Sequence, residues 1–201
     1  IKTKIQTFGA HIHPLTAIKE GIAYAAKHSV IKTLLLLTVI TSIFGWSYVT
    51  ILPVVNKEVF GQDAKNLGYL YALSGAGALT ASFFVSAFSK KINPKLFIFG
   101  GNLLFAVSII SFTLTNNLIS AFPFLFFAGM GIIFQFSTIN SIIQHIVDDR
   151  FRGRILSLYV LTFAGFLPFG NLQIGFNSQH FGSLFAIRLG AFIILASTLF
   201  I

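Results

Sequence analysis

Four stretches of this chain contain no Asp, Glu, Lys or Arg: residues 33–56, 66–89, 96–147 and 155–187. A charge at mid-bilayer costs about 2.5–3.5 kcal/mol on insertion scales, so runs of this kind are what a membrane-spanning helix requires. About 20 residues cross about 30 Å of hydrocarbon, which makes the run over 96–147 long enough for two helices. Its natural break is Thr115-Asn116-Asn117, a turn signal between apolar segments. The spacing therefore predicts six spans: 31–55, 67–89, 95–115, 118–147, 155–176 and 183–201. Composition agrees, since only 9% of residues are charged and the mean hydropathy is +0.85. A soluble domain carries roughly 25% charged residues because its surface faces water. A soluble globular fold is thereby excluded, and the lipid bilayer is the expected environment.

Basic residues in the connections set the expected orientation, because Lys and Arg in short loops stay on the cytoplasmic side. Eleven of the fourteen fall at the amino end, in the 90–95 connection or in the 148–154 connection. Those segments, and the carboxyl end, are expected to be cytoplasmic. The net charge of +9 does not point to nucleic acid, because the basic residues sit at span ends and form no patch interleaved with stacking aromatics. Cysteine is absent, which removes disulfides and thiolate metal sites. Residues 1–29 read as a cytoplasmic connector and 30–201 as the six-helix bundle. Within the connector, Leu15, Ile18, Ile22 and Ala25 recur at helical spacing opposite Lys19, Glu20 and Lys27, with Thr16 as a candidate cap. Such a helix suits the membrane interface. The sequence opens on Ile1 and stops at Ile201 inside an apolar segment, and is expected to be a fragment of a longer protein.

Six helices fit a channel subunit, a membrane enzyme, a scaffold, or half of a transporter built from two repeats. All five carboxylates, Glu20, Glu58, Asp63, Asp148 and Asp149, lie outside the spans. A membrane prenyl- or phosphotransferase needs acidic pairs for a metal and diphosphate, and a metalloprotease needs His and Glu at ligand spacing on a helix. Neither constellation is present, so no enzyme, cofactor or metal site is expected. His11 and His13 form an isolated pair read as solvated loop histidines. His145 and His180 sit at span ends.

The fourth span holds the most informative polar residues. At 100° per residue Ser137, Asn140, Ser141 and Gln144 fall on one arc of its cytoplasmic half, while Gln135 points the other way. The stripe either lines an aqueous cavity or bonds to a neighbouring helix. On the first span Thr38, Ser42, Gly45, Trp46 and Pro53 share one face, with Tyr48 off it. Trp46 either stacks on a substrate or packs between helices, and Pro53 bends the outer end, where freed backbone groups need new partners. Arg188, near the outer end of the sixth span, is expected to snorkel outward. Small residues mark candidate close contacts or bends: Gly75 and Gly77 in the second span, Gly129 and Gly131 in the fourth, and Gly165, Pro168, Gly170 and Gly175 in the fifth.

The segment QHIVDDRFRGRILSLYVLTFAGFLPFGN (144–171) resembles the major facilitator superfamily, in its enterobactin-exporter-like branch, at the connection between the tenth and eleventh helices. IKEGIAYAAKHSVIKTLLLL (18–37), Leu52-Pro53 and LGYLYALSGAGAL (67–79) are similar to the same branch. The resemblance implies an all-α integral membrane fold, here the carboxyl-terminal six-helix bundle of a twelve-helix exporter. Its amino-terminal six-helix half would be the partner, in a bacterial inner membrane. It also implies an amphipathic small-molecule substrate such as a siderophore or drug, moved by alternating access with proton exchange. Any proton-carrying acid would then lie in the other half. Asp148, Asp149, Arg152 and Arg154 resemble one copy of the loop motif that latches the inside gate, with Gly153 letting that loop turn tightly. The equivalent segment SKKINPK (89–95) lacks both acid and Arg. The rival reading is a scaffold or sensor that kept the fold without transport.

Overall fold

The computed structural model describes residues 14–61, 64–89 and 91–198. Within them the secondary structure is helical: α1 (Pro14–Lys27), α2 (Ser29–Ile40), a π-helical turn (Thr41–Trp46), α3 (Tyr48–Glu58), α4 (Ala64–Phe88), α5 (Pro94–Phe112), α6 (Leu118–Ile146), α7 (Asp149–Phe181) and α8 (Ser183–Ser197). The run Ser29–Glu58 is one apolar helix interrupted only by the π turn, and with α4, α5, α6 and α7 it is long and apolar enough to span a membrane. α8 is a shorter apolar helix. His11, His13 and Lys90 lie outside the described residues.

Local chemistry explains the boundaries. The Asn93 side chain accepts a hydrogen bond from the Lys95 backbone N–H (3.0 Å) with Pro94 in the first turn, which starts α5. Asn117 caps α6 in the same way through Ile119 N–H (2.9 Å), so the expected split of the long apolar run falls at its Asn pair. α7 and α8 are divided by Gly182, whose φ of 91° is a left-handed conformation that side chains resist. α1 starts at Pro14, so Thr16 lies inside the helix and does not cap it.

Two expectations need correction. The 148–154 connection is not a loop: α7 begins at Asp149, and Arg150–Arg154 form its first turns. Gly153 therefore makes no turn, and a Cβ added there would meet nothing within 4 Å. The acidic Asp148-Asp149 pair at a helix start explains why, since carboxylates there favour helix over loop. Gly153→Ala is expected to leave the fold intact and to stabilise α7 by about 0.5–1 kcal/mol. A fall in the thermal unfolding midpoint of this variant would contradict that.

The first helix supplies the second correction. A π turn holds more residues per turn than an α turn, so it shifts the helical phase of everything after it. Thr38, Ser42 and Gly45 are buried and Trp46 half-buried, but Pro53 is exposed and Tyr48 is buried at 4%. The single face expected across residues 38–53 is thus two faces. Pro53 removes the N–H that would bond to Val49 O. That carbonyl instead accepts from Tyr71 Oη of α4 at 3.0 Å.

Packing is organised around α6, which lies along both α4 and α5, while α7 and α8 close on the π turn. One hydrophobic core joins Leu52, Val55, Phe105, Ile109, Leu125 and Ile187. A second, toward the α1 end, joins Ile31, Leu34, Ile98, Ile139, Ile143 and Ile155. Along the helices, buried polar residues fall between them: Thr38, Thr41 and Ser42 on the first helix, Asn102 on α5, Gln135 and Thr138 on α6.

Glycines set the tightest contacts. A Cβ on Gly77 would sit 1.8 Å from Phe126 O, and one on Gly129 2.0 Å from Ser74 O, so α4 and α6 touch backbone to backbone. Gly131 meets Gly101 O of α5 at 2.6 Å in the same sense. Gly170 of α7 abuts Ile43 O (2.7 Å) and Gly190 of α8 abuts Phe44 O (2.3 Å), both in the π turn. By contrast Gly75 and Gly175 meet nothing, and Gly165 meets only Leu161 of its own helix. These three do not mark contacts, and sequence gave no means of telling them from Gly77 or Gly170. Pro168 is exposed on α7.

Candidate functional site

The four polar residues of α6 lie as their spacing predicts. Ser137, Asn140 and Ser141 are half-buried and Gln144 is exposed. Gln144 Nε2 donates to Asn140 Oδ1 one turn away on the same helix. Among the described residues none of the four side chains bonds to another helix. Ser141 also borders a small gap of about 30 Å³ shared with Val85, Pro94, Phe97 and Thr138.

One turn before Asn140, on adjoining positions of α6, stands Phe136. Trp46 meets it edge-on at 5.9 Å and meets Phe163 of α7 at 5.3 Å, while Phe136 and Phe163 are 4.8 Å apart. Such edge-to-face pairs suit the ring quadrupole. The trio ties three helices together and is held from behind by its backbone: Tyr159 Oη donates to Phe136 O (3.1 Å) and Ser42 Oγ to Phe163 O (2.6 Å). Trp46 thus packs between helices and stays half-exposed, joining an aromatic patch to the α6 amides.

At the start of α7 the charged residues form a second cluster. Arg152 pairs with Asp149 at 2.5 Å, three residues back on the same helix. Arg154 Nη1 donates to Glu20 Oε2 of α1, and its side chain is only 18% exposed. Tyr24 Oη donates to Asp148 Oδ2 (3.3 Å), and the Tyr24 ring stacks on Phe151 (4.5 Å) and His28 (4.1 Å). The Arg154 guanidinium lies 5.4 Å from the Phe151 ring centroid. Among the residues of α1 whose side chains are described, Gly21 and Ala25 are buried, whereas Ile18 and Ile22 are 41% and 52% exposed. α1 therefore docks on α7 through Glu20, Gly21, Tyr24 and Ala25, and turns Ile18 and Ile22 outward.

Sequence reasoning missed three features. Glu20 was read only as part of a helix face and Tyr24 was not singled out, since nothing local links them to residues more than 120 positions away. Gln135 is 1% exposed and accepts from Thr41 Oγ1 at 2.9 Å, leaving Nε2 without a partner, as is Asn102 Nδ2. A polar residue at the same depth in successive spans was the available signal. Arg188 does not simply snorkel: Nε donates to Thr113 Oγ1 (2.7 Å) and Nη2 to Thr113 O (2.9 Å), capping the C-terminal end of α5. A cation there complements the negative end of the helix dipole. No group of three His, Asp or Glu that could hold a metal occurs among the described residues.

The described residues thus form a multi-pass bundle of apolar helices with backbone-tight crossings and a charged cluster at one end, consistent with a partial membrane bundle of the major facilitator type. Residues 11–201 match the family described as transmembrane secretion effector, and the chain belongs to that family. It is 25% identical over 182 residues to the staphyloferrin A transporter of Staphylococcus aureus (strain NCTC 8325 / PS 47). The match covers 90% of this chain and 44% of the relative, so the chain spans less than half the length of that curated protein.

Proposed function

We propose that the chain is the carboxyl-terminal half of a secondary exporter for an amphipathic small molecule, a siderophore or drug, working by alternating access. The likeness to a staphyloferrin A transporter carries this reading, and the face of α6 supports it. There the Trp46–Phe136–Phe163 patch gives an apolar surface, and Ser137, Asn140, Ser141 and Gln144 add hydrogen-bonding groups that no other helix takes up among the described residues. A ligand with an apolar body and polar periphery needs both. The amino-terminal six-helix half would complete the cavity, and any proton-coupling carboxylate would belong to it. In this reading the bundle sits in the inner membrane with both ends of the segment cytoplasmic, and residues 1–29 link the halves. The α1–α7 cluster of Glu20, Tyr24, Asp148 and Arg154 latches the inner side, with Asp149 and Arg152 bracing the start of α7.

The test is efflux from substrate-loaded vesicles by the full-length protein under an imposed pH gradient. Wild type is expected to move siderophore or dye, and Asn140→Ala with Gln144→Ala to lose at least tenfold in rate at equal membrane abundance. Equal rates would remove the stripe from the pathway. Failure of wild type to move any candidate would favour the scaffold or sensor reading.

A further inference from the structure

Between α2 and α5, bordered on α6 by Ile142 and by none of the four stripe residues, lies a groove of about 360 Å³. Val30, Leu34 and Leu37, at positions i, i+4 and i+7 of α2, form one wall, and Ile98 of α5 with Ile142 of α6 closes it. Leu34, Leu37 and Ile98 are buried at its floor, while Val30 is 56% exposed at its mouth. The neighbouring Leu36, Leu96 and Phe99 are exposed apolar residues, so the groove opens onto the lipid-facing surface.

Its rim has the opposite chemistry. Ser29, Thr33, Asn93 and Lys95 line the end where α2 and α5 begin. Among the described residues Lys95 has no carboxylate partner, and the hydroxyls of Ser29 and Thr33 make no hydrogen bond. α2 also starts without a side-chain cap, which leaves its first-turn N–H groups at this rim. No carboxylate lines the groove. Asn93 and Lys95 of the rim belong to SKKINPK, the segment that lacks the acid and Arg of the gate motif and carries three lysines instead.

We propose that this groove binds an anionic phospholipid: one acyl chain lies along Val30, Leu34, Leu37 and Ile98, and the phosphate is held by Lys95, Thr33 and Ser29. The pairing follows from charge and polarity together. A basic residue beside uncapped helix N–H groups attracts an anion, and an apolar channel leading from it into the bilayer accepts a chain and not a free ion. Anionic lipids attract basic juxtamembrane segments in the same manner. SKKINPK thereby gains a role as a lipid clamp where a second latch is missing.

Native mass spectrometry of the full-length protein tests this after detergent delipidation, with dioleoyl phosphatidylglycerol, dioleoyl phosphatidylcholine or inorganic phosphate added back. Wild type is expected to retain one phosphatidylglycerol at least tenfold more strongly than phosphatidylcholine. Lys95→Glu and Lys95→Gln should erase that preference, and Val30→Trp, which fills the mouth, should reduce retention of both lipids. Lys57→Glu, at the other end of the first helix, should change nothing. All three positions, Lys95, Val30 and Lys57, are exposed, so the four variants are expected to fold. Equal retention of the two lipids, an unchanged preference in both Lys95 variants, or competition by inorganic phosphate alone would overturn the proposal. The readout needs no transport, so it stands or falls separately from the exporter reading.

Discussion

Gly129→Ala is expected to disrupt the bundle, although it adds a single methyl group. The new Cβ would lie 2.0 Å from Ser74 O and 2.9 Å from Ser74 Oγ, and the first of these is backbone that cannot rotate away. α4 and α6 would have to separate by more than an ångström, and Gly77, facing Phe126 O from the other side of the same crossing, would lose its contact too. Overpacking of this kind costs typically 1–3 kcal/mol and occasionally more. For a chain of this size that is a fall in unfolding midpoint of up to about 10 °C. Gly75→Ala, two residues from Gly77 on α4 but facing open space, is the matched control and should melt at or slightly above wild type, as expected for Gly153→Ala. Equal midpoints for Gly129→Ala and Gly75→Ala would show that the crossing is looser than the geometry described here.

Arg154→Glu is expected to release α1 from α7. It places an anion against Glu20 in a site where the Arg side chain is only 18% exposed, so solvent screens the repulsion incompletely. The same change removes one of the two guanidinium groups near Phe151 and leaves the Tyr24 contacts and the packing of Gly21 and Ala25. Trypsin cleavage at Lys19 and Lys27 of the full-length protein should accelerate about fivefold to tenfold, the change expected for roughly 1 kcal/mol of pairing lost and reversed. Glu20→Arg combined with Arg154→Glu should restore protection. If the reversed pair is cleaved as fast as Arg154→Glu alone, the ion pair does not hold α1 in place.

The spans were legible because lipid imposes a one-dimensional rule: charge is absent where hydrocarbon is present, and that rule needs no knowledge of tertiary contacts. The break at Asn116-Asn117 could be read for a similar reason, since turn and capping signals are local. The π turn could not be read. Nothing in TSIFGW announces it, and it exists where Gly170 and Gly190 of two other helices press against its carbonyls. Once it is present, a helical wheel drawn through residues 38–53 fails, which is why Pro53 and Trp46 part company. The same limit separates Gly77 from Gly75: both are small, and only the position of α6 decides which matters. On α6 the polar stripe was legible as an arc because the helix is uninterrupted from Leu118 to Ile146. Its aromatic neighbours Phe136 and Phe163 were hidden among 25 phenylalanines.

α7 has 33 residues, and at about 1.5 Å each it is about 50 Å long, against about 30 Å of hydrocarbon. An ordinary tilt of about 20° shortens its projection by only a few ångströms. Roughly a third of the helix must therefore stand in headgroups or water. Its two ends are dressed for that position: Arg150, Arg152 and Arg154 occupy one, and a ladder of rings occupies the other, Phe176 against His180 at 4.2 Å and Phe181 against Phe185 of α8 at 5.4 Å. Guanidinium groups hold one surface and aromatic rings the other. The helix thus acts as a ruler fixed at both interfaces, and the shorter helices packed on it inherit their depth in the bilayer from its ends.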